Sequence, residues 1–297
     1  MLKSKIENII LGNQYLSIEI FTDDNAEKAN GVVVNKKNDT LTITESLVFN
    51  SINDFVLDNY IDLPVILTLY TDKVLIKVTE LNEKNDLILV KKTFTNLNLD
   101  DFYFDVCRLE NKTIISIARK SYVNEIINLL RESKKLKIVA VAIGISNIKH
   151  IIPFISDENV LLNSKTFNTH NTTIDTTKKN DSKIYSINGI NIKSDNLVSF
   201  SSLINFISKI KSGSIDELSF NLYHTFFQNN FFKKYLKFFI IFILGVLLIN
   251  FLLFNHYFNK FNEISSLNTV ERENREKIEN LKTLINDKEK SVNELSL

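Results

Sequence analysis

The sequence FFIIFILGVLLINFLLF, residues 238–254, decides the architecture of this chain. These seventeen residues carry no charge, and only Gly245 and Asn250 interrupt the run of large apolar side chains. Core helices of soluble proteins are rarely apolar on every face. A helix over residues 238–258 rises about 31 Å, which matches the roughly 30 Å thickness of a hydrocarbon core. Residues 238–258 are therefore predicted to form a transmembrane helix.

The residues that flank the predicted span indicate its orientation. Lys233, Lys234 and Lys237 form a tight cluster before the span, and Tyr257 lies at its other boundary. Lys and Arg beside a span favour the cytoplasmic side, and aromatic side chains favour the membrane interface, so we expect these four residues to anchor the helix. Residues 1–20 carry charges where a signal peptide needs an apolar core. We expect a single-pass protein with a cytoplasmic N-terminus.

The composition is consistent with a cytoplasmic domain. Cys107 is the single cysteine, so an internal disulfide is impossible, as is usual in a reducing compartment. The net charge of +1 argues against a broad surface for nucleic acid, and no nucleic-acid partner is expected.

Residues 1–156 are predicted to form a mixed α/β lobe. Alternating or continuous apolar patterns predict strands at residues 15–21, 31–35, 40–49, 64–69, 73–79, 87–92, 102–108, 112–118 and 137–143. Helices are predicted at residues 53–60, from Ser121 to residue 130, and at residues 145–154. Strands followed by a helix and a buried strand are typical of a mixed sheet with helices packed on it.

Residues 157–216 are predicted to form a reduced second lobe, because they are too few for a full domain. Strands are expected at residues 159–162 and 183–192, the second interrupted by a hairpin turn at Asn188 and Gly189. The amphipathic pattern of residues 197–210 predicts a helix. Residues 166–181 are polar and are expected to form either a loop or an exposed edge strand.

Residues 217–237 form a juxtamembrane amphipathic segment that is rich in aromatic residues. These are Phe220, Tyr223, Phe226, Phe227, Phe231 and Phe232. One hypothesis is an interfacial helix that lies on the inner leaflet. The alternative is that the aromatic side chains pack on the preceding lobe or extend the membrane helix.

Residues 259–297 are predicted to form a coiled coil beyond the membrane. A heptad register places ten residues on one seam, and seven of them are apolar. The apolar seam residues, which are expected to bind a partner helix, are Ile264, Leu267, Ile278, Leu281, Ile285, Val292 and Leu295. Glu271 and Asn274 weaken the start of the seam, and Asn274 is suited to set its register. The partner is a second copy or a different protein, and the alternative is a solitary charged helix.

Sequence signals for catalysis are largely absent. The chain has no Walker motif, no CxxC, no HExxH and no GxSxG, and its four histidines lack metal-ligand spacing. Cys107 is predicted to be an inert core thiol, and Asp23, Asp24 and Asp105 to be solvated carboxylates. No two of the six glycines are close enough to build a phosphate loop. We therefore predict no enzyme activity and no catalytic, metal or cofactor-binding residues.

Four stretches, together with the order of segments, resemble known assembly proteins. They are YLSIEIF at residues 15–21, PVILTLYTDKVLIKVTE at residues 64–80, the run at residues 101–144 that begins DFYFDVCRLE, and FFKKYLKFFIIFILGVLLINFLLF at residues 231–254. In these stretches the chain resembles the type II secretion inner-membrane protein L, and it is similar to a fusion of the type IV pilus assembly proteins PilM and PilN.

The resemblance implies an actin-like (ribonuclease H-like) cytoplasmic domain, a bacterial inner-membrane helix and a periplasmic coiled coil. It also implies a scaffold that connects an assembly ATPase or other pilus or secretion subunits to periplasmic partners. Ser17, Ile18, Glu19 and Ile20 stand where nucleotide-binding relatives carry a glycine-containing loop, so no nucleotide is expected. No segment of residues 1–297 is expected to form the family's periplasmic ferredoxin-like domain, which either a partner or a longer natural chain would supply. The alternatives are a membrane-anchored sensor whose cytoplasmic domain binds a ligand, and a degenerate actin-like ATPase.

Overall fold

The computed structural model describes residues 10–37, 40–55, 57–81, 83–110, 112–163, 165–176, 182–209 and 213–295. The chain forms two compact units, Met1–Phe231 and Phe232–Leu297. The first unit contains all thirteen strands of the described residues, and the second is wholly helical there.

A five-stranded mixed sheet organises the first unit. Its strands are β1 (Gln14–Asp23), β2 (Ala26–Lys37), β3 (Thr40–Phe49), β4 (Pro64–Tyr70) and β8 (Lys137–Ile143). They lie in the order β3-β2-β1-β4-β8, in which the β1–β2 and β2–β3 pairs are antiparallel and the β1–β4 and β4–β8 pairs are parallel. The mixed sheet predicted from the sequence is confirmed.

The two faces of strand β1 carry different chemistry. Leu16, Ile18 and Ile20 point to one face, where they join an apolar cluster with helix α2 (Lys120–Glu132). Ser17 and Glu19 point to the opposite face and are equally buried. Since successive side chains of a strand alternate between faces, burial on both sides requires a covering layer on each.

A three-stranded antiparallel sheet is inserted between β4 and α2. It consists of β5 (Val74–Thr79), β6 (Phe102–Arg108) and β7 (Thr113–Arg119) in the order β5-β7-β6. Helix α1 (Asp86–Thr93) packs on it through Leu89 and Val90. The strand predicted at residues 87–92 is therefore wrong. The Asn85 side chain caps this helix by accepting a hydrogen bond from the Ile88 N–H at 3.1 Å.

Two predicted helices are short 3-10 turns instead. The helix predicted at residues 53–60 overlaps two such turns, Ile52–Asp54 and Asp58–Tyr60. Residues 145–154, also predicted as a helix, contain Ser146–His150 and Ile152–Phe154. Pro153 lies in the second of these and cannot donate the backbone hydrogen bond that an α-helix requires.

The remaining elements of the first unit cover the opposite face of the sheet, where Ser17 and Glu19 lie among buried apolar residues such as Val32 and Ile66. β9 (Asn159–Leu162), β10 (Lys165–Asn168) and β11 (Thr173–Thr176) form an antiparallel meander, and β12 (Ile184–Ile187) pairs with β13 (Ile190–Lys193). Helix α3 (Leu197–Ser208) lies over β1 and β4. Within residues 166–181, β11 is an edge strand, which is one of the two predicted alternatives. The prediction is wrong for residues 166–168, which belong to the central strand β10, where Phe167 is fully buried. Residues 177–181 lie outside the described part. The hairpin turn at Asn188 and Gly189 is confirmed, with φ of 49° and 83°.

Helix α4 extends over Ile215–Leu295. Its first turns belong to the first unit, and the residues from Phe232 onward form the second. The described part of the chain contains one helix that is long and apolar enough to cross a membrane, and its most apolar 18-residue window is entirely unburied.

Candidate functional site

Residues 213–226 comprise the first turns of α4 and the two residues before it, and we call them the helix root. The helix root is hydrogen-bonded to the inserted sheet. The Phe104 N–H on β6 donates to the Ser214 hydroxyl at 2.8 Å, and Gly213 forms a bridge with Asp105. A Cβ at Gly213 would lie 2.4 Å from the Phe104 carbonyl oxygen, so only glycine permits this close approach. The root thereby covers the edge of β6.

The helix root also covers the edge of the five-stranded sheet. The Val141 N–H on β8 donates to the Ser219 hydroxyl at 3.0 Å, and that hydroxyl donates to the Val141 carbonyl at 3.1 Å. β8 is an outer strand of its sheet, and its unpaired backbone groups need a partner. The Ser219 hydroxyl therefore satisfies the two backbone groups of Val141 that a neighbouring strand would otherwise bind.

Apolar packing adds to these hydrogen bonds. Ile215, Leu222 and Phe226 are buried against the domain, and the Tyr223 ring lies edge-on to Phe206 of α3 with centroids 6.2 Å apart. Phe220 lies on the other side and is 63% exposed. Of the two alternatives for the aromatic segment, packing on the preceding domain is observed for its buried face.

The predicted membrane-facing residues are exposed. Every side chain from residue 238 to residue 254 is exposed, and so are the predicted anchors Lys233, Lys234, Lys237 and Tyr257. Large apolar side chains exposed over an uninterrupted helix surface are unfavourable in water and favourable in hydrocarbon. The geometry therefore suits a lipid environment.

The predicted coiled-coil seam is exposed as far as the structure describes its side chains. Ile264, Leu267, Ile278, Leu281 and Ile285 are all more than half exposed. The side chains of Val292 and Leu295 lie outside the described residues. The coiled coil itself stays a prediction.

Helix α3 covers the face of the main sheet that carries Ser17 and Glu19. The Ser17 hydroxyl donates to the Ser199 carbonyl at 2.6 Å, and the Thr68 hydroxyl donates to the Ser202 hydroxyl at 2.8 Å. Both strand residues are fully buried. Helix α3 therefore occupies the space above Ser17 and Thr68 on this face of the sheet.

Glu19 is a buried acid on the same face of the sheet as Ser17. Burial raises the pKa of its carboxyl to about 8. The Asn163 amide and the Lys165 ammonium oppose this rise, and the charge of Asp195 adds to it. Burial likewise lowers the pKa of Lys165, whose ammonium lies 4.4 Å from the Tyr70 ring centroid. Among the described residues, neither Glu19 carboxylate oxygen has a hydrogen-bond partner of ordinary geometry. Glu19 is therefore largely neutral at pH 7.

The remaining candidates from the sequence behave as structural residues. Cys107 is buried, and burial raises the pKa of its thiol to about 12, which agrees with an inert core thiol. Asp23 pairs with Lys28 at 2.8 Å beside the turn that contains Asp24. Asp105 is buried, so its prediction as a solvated carboxylate is wrong. No group of His, Cys, Asp or Glu suited to a metal ion occurs among the described residues.

Sequence reasoning missed the helix root. Ser214 and Glu217 have the serine-to-glutamate spacing that marks a helix start, and this signal could have placed the beginning of α4. The partners of Ser214 and Ser219, on β6 and β8, are more than seventy residues away in sequence. No local pattern identifies such contacts.

Comparison with solved structures finds assembly proteins. The chain is similar to the cytoplasmic domain of EpsL, an inner-membrane component of the type II secretion system of Vibrio cholerae, with 10% identity over 56% of this chain and 71% of that one, and a TM-score of 0.39. It is also similar to a PilM–PilN type IV pilus biogenesis complex, with 10% identity over 55% of this chain and 61% of that one, and a TM-score of 0.37.

A third similar structure is a Bacteroides thetaiotaomicron protein with an actin-like ATPase fold, at 11% identity over 56% of this chain and 71% of that one, with a TM-score of 0.32. No protein-family model matches the chain, and no curated protein matches it significantly. The first two structures are of the same two kinds that the sequence resemblance names. The mixed α/β domain and the one long apolar helix of the predicted fold class are confirmed among the described residues, and its actin-like character stays a prediction.

Proposed function

We propose that this protein is a single-pass inner-membrane scaffold of a type II secretion or type IV pilus-like assembly machine. Its α/β domain binds a cytoplasmic assembly ATPase or another subunit, and residues 259–297 bind a periplasmic coiled-coil partner. The observation that carries the proposal is the helix root. Hydrogen bonds at Ser214 and Ser219 join both sheets to the helix that also contains the apolar stretch.

A scaffold needs a durable connection between its binding domain and its membrane anchor, and the helix root supplies one. A flexible linker would place Gly, Ser and Pro between the domain and the span. Instead, α4 begins within the domain with buried Ile215 and Leu222. Unfolding this root would expose apolar surface and leave backbone groups of β6 and β8 unpaired.

Labelling of single cysteines tests the topology. Cysteines at Lys92 and Thr283 are expected to react oppositely with a membrane-impermeant reagent in intact cells, with Thr283 reached from outside the inner membrane. Cys107 is buried and serves as the unreactive background. Labelling at Lys92 ahead of Thr283 would reverse the proposed orientation and remove the cytoplasmic ATPase as a partner.

The proposal includes the absence of nucleotide hydrolysis. The β1–β2 turn consists of Asp24 and Asn25 without glycine, and the sheet face that carries Ser17 and Thr68 is covered by α3. Calorimetry of the detergent-solubilised chain with magnesium and ATP is expected to show no saturable binding. Micromolar affinity would favour the degenerate ATPase instead.

One cavity favours a second candidate, the membrane-anchored sensor. A cavity of about 370 Å³ lies beside α2 and is lined by residues that include Glu27, Lys73, Tyr122 and Glu125. Its volume is within the range of small-molecule sites. Lys73 pairs with Glu27 at 3.0 Å, so a ligand would have to compete with this ion pair. A small polar ligand that raises the melting temperature, and no longer does so in Glu27→Gln, would support the sensor.

A further inference from the structure

Asn250 places a polar side chain near the middle of the apolar stretch. It lies about 2 Å along the helix axis from the midpoint between Lys237 and Lys260, at 1.5 Å per residue. Its side chain is exposed on α4. A side-chain amide carries two N–H donors and an acceptor that hydrocarbon cannot satisfy, so at this depth it needs a partner in the membrane.

Asn250 lies on the backward extension of the predicted coiled-coil seam. Alternating steps of four and three residues lead from Ile264 to Lys260, Tyr257, Leu253 and Asn250. Two more steps reach Val246 and Ile243. Because α4 is helical without interruption from Ile215 to Leu295, the same seam passes through the apolar stretch and the segment after it.

The residue types on this extended seam favour a parallel pair of helices. The a positions include Ile243, Ile264, Ile278 and Ile285, and the d positions include Leu253, Leu267 and Leu281. β-Branched residues at a with leucine at d are typical of parallel two-stranded coiled coils. Asn250 occupies an a position, where a single asparagine sets register and a two-stranded state.

The charged residues of the seam do not prevent self-association. Glu271 is paired with Arg275 of its own helix at 2.8 Å, and Lys260 is paired with Glu263 at 3.0 Å. Each charged seam residue is therefore paired with an opposite charge on its own helix, which reduces repulsion between two identical helices.

We propose that the partner of this seam is a second copy of the chain, bound in parallel and in register through residues 243–285. Two copies of one single-pass protein insert in the same direction, so each Asn250 lies at the depth of its counterpart. The amide is self-complementary, and each side chain donates to the carbonyl of the other. The inference rests on the proposed function only for the membrane location of residues 238–258.

Cysteine cross-linking of full-length chains carrying two different tags tests this interface in native membranes. Cysteines at Val246 or Leu253, on the seam, are expected to yield dimers that contain both tags. Cysteines at Leu248 or Leu252, on the outer face, are the matched controls and are expected to cross-link several-fold less. Equal yields at all four positions, or products that join this chain to a different protein, would overturn the inference.

Substitution of the asparagine tests its role separately. Asn250→Leu is expected to lower cross-linking through Leu253 about threefold to thirtyfold, the effect of one interhelical hydrogen bond in a membrane. Asn255→Leu is the control, because Asn255 lies outside the seam. Equal yields in the two variants would overturn the pairing.

Cross-links to a different protein leave the scaffold proposal intact, whereas reversed labelling at Lys92 and Thr283 contradicts the scaffold without affecting the seam.

Discussion

Two regions of the molecule depart from the usual distribution of polar and apolar side chains. Beneath α3, the polar residues Ser17, Glu19 and Thr68 are fully buried. In the apolar stretch, residues 238–254, the side chains are exposed and almost all apolar. In the first region the Ser17 and Thr68 hydroxyls are satisfied by hydrogen bonds within the protein, and the second region needs a solvent other than water. Burial by itself therefore does not identify a core, and the surrounding medium decides which residue types are stable.

The strongest expected effect concerns the buried acid. The folded-state pKa of Glu19, about 8, exceeds its ordinary value of 4.5, so the fold binds this proton more tightly than the unfolded chain does. The contribution to stability is complete below pH 4.5, declines as the pH rises, and is lost above pH 8. We expect Glu19→Gln to be more stable than the parent chain at pH 8.5 by up to about 5 kcal/mol, and equally stable near pH 4.5.

Thermal unfolding in detergent at pH 4.5 and pH 8.5 measures this difference. Glu125→Gln is the control, because Glu125 is exposed on α2. The same pH dependence in the parent chain and in Glu19→Gln would show that Glu19 is not the titrating group.

The next effect tests the exposed region. Leu248→Arg places a charge in the apolar stretch and is expected to cost about 3 kcal/mol of insertion free energy, or roughly a hundredfold in the inserted fraction. Alkaline extraction of membranes measures the integrated protein. Ile264→Arg, beyond the span, is expected to remain integrated. Full integration of both variants would mean that residue 248 does not lie in hydrocarbon.

A smaller effect is expected at the helix root, where α4 is hydrogen-bonded to the main sheet. Ser219→Ala removes the hydroxyl that serves both the N–H and the carbonyl of Val141, at a cost of about 1–3 kcal/mol. Thr225→Ala is the matched control, because that hydroxyl is exposed and bonds only to its own helix at Asn221. Hydrogen exchange of the Val141 amide measures the loss, and unchanged protection would contradict it.

The smallest effect is expected where the helix is exposed to water. Arg272 lies 3.8 Å from Glu276, and both side chains are more than 60% exposed. Pairs of this kind contribute little, so Arg272→Ala should not change the helix content measured by circular dichroism. A clear loss of helix would mean that this pair is shielded from water by a partner.

Much of the first unit could be predicted from periodicity. The strands of the main sheet and helix α2 follow the alternating and helical patterns of their residues. The failure at residues 87–92 has a physical cause, since the apolar run Leu87–Ile88–Leu89–Val90 fits either a strand or a short helix. The Asn85 cap and the packing of Leu89 on the inserted sheet decide for the helix.

The candidate site was less accessible to sequence reasoning. The span and its flanking lysines are local features of composition, and these could be predicted. The burial of Glu19 could not, because it depends on α3, which lies about 180 residues further along the chain. The hydrogen bonds of Ser214 and Ser219 are likewise a product of tertiary packing.

The helix root also determines where this protein can be divided. A fragment that ends at residue 215 would lack the hydroxyl bound to Val141 and the apolar side chains of Leu222 and Phe226. The edge of β8 would then be available to strands of other molecules, beside newly exposed apolar surface. Such a fragment is expected to aggregate. A fragment that continues past Phe226 and stops before Phe238 keeps the edges covered and is the better choice for work in solution.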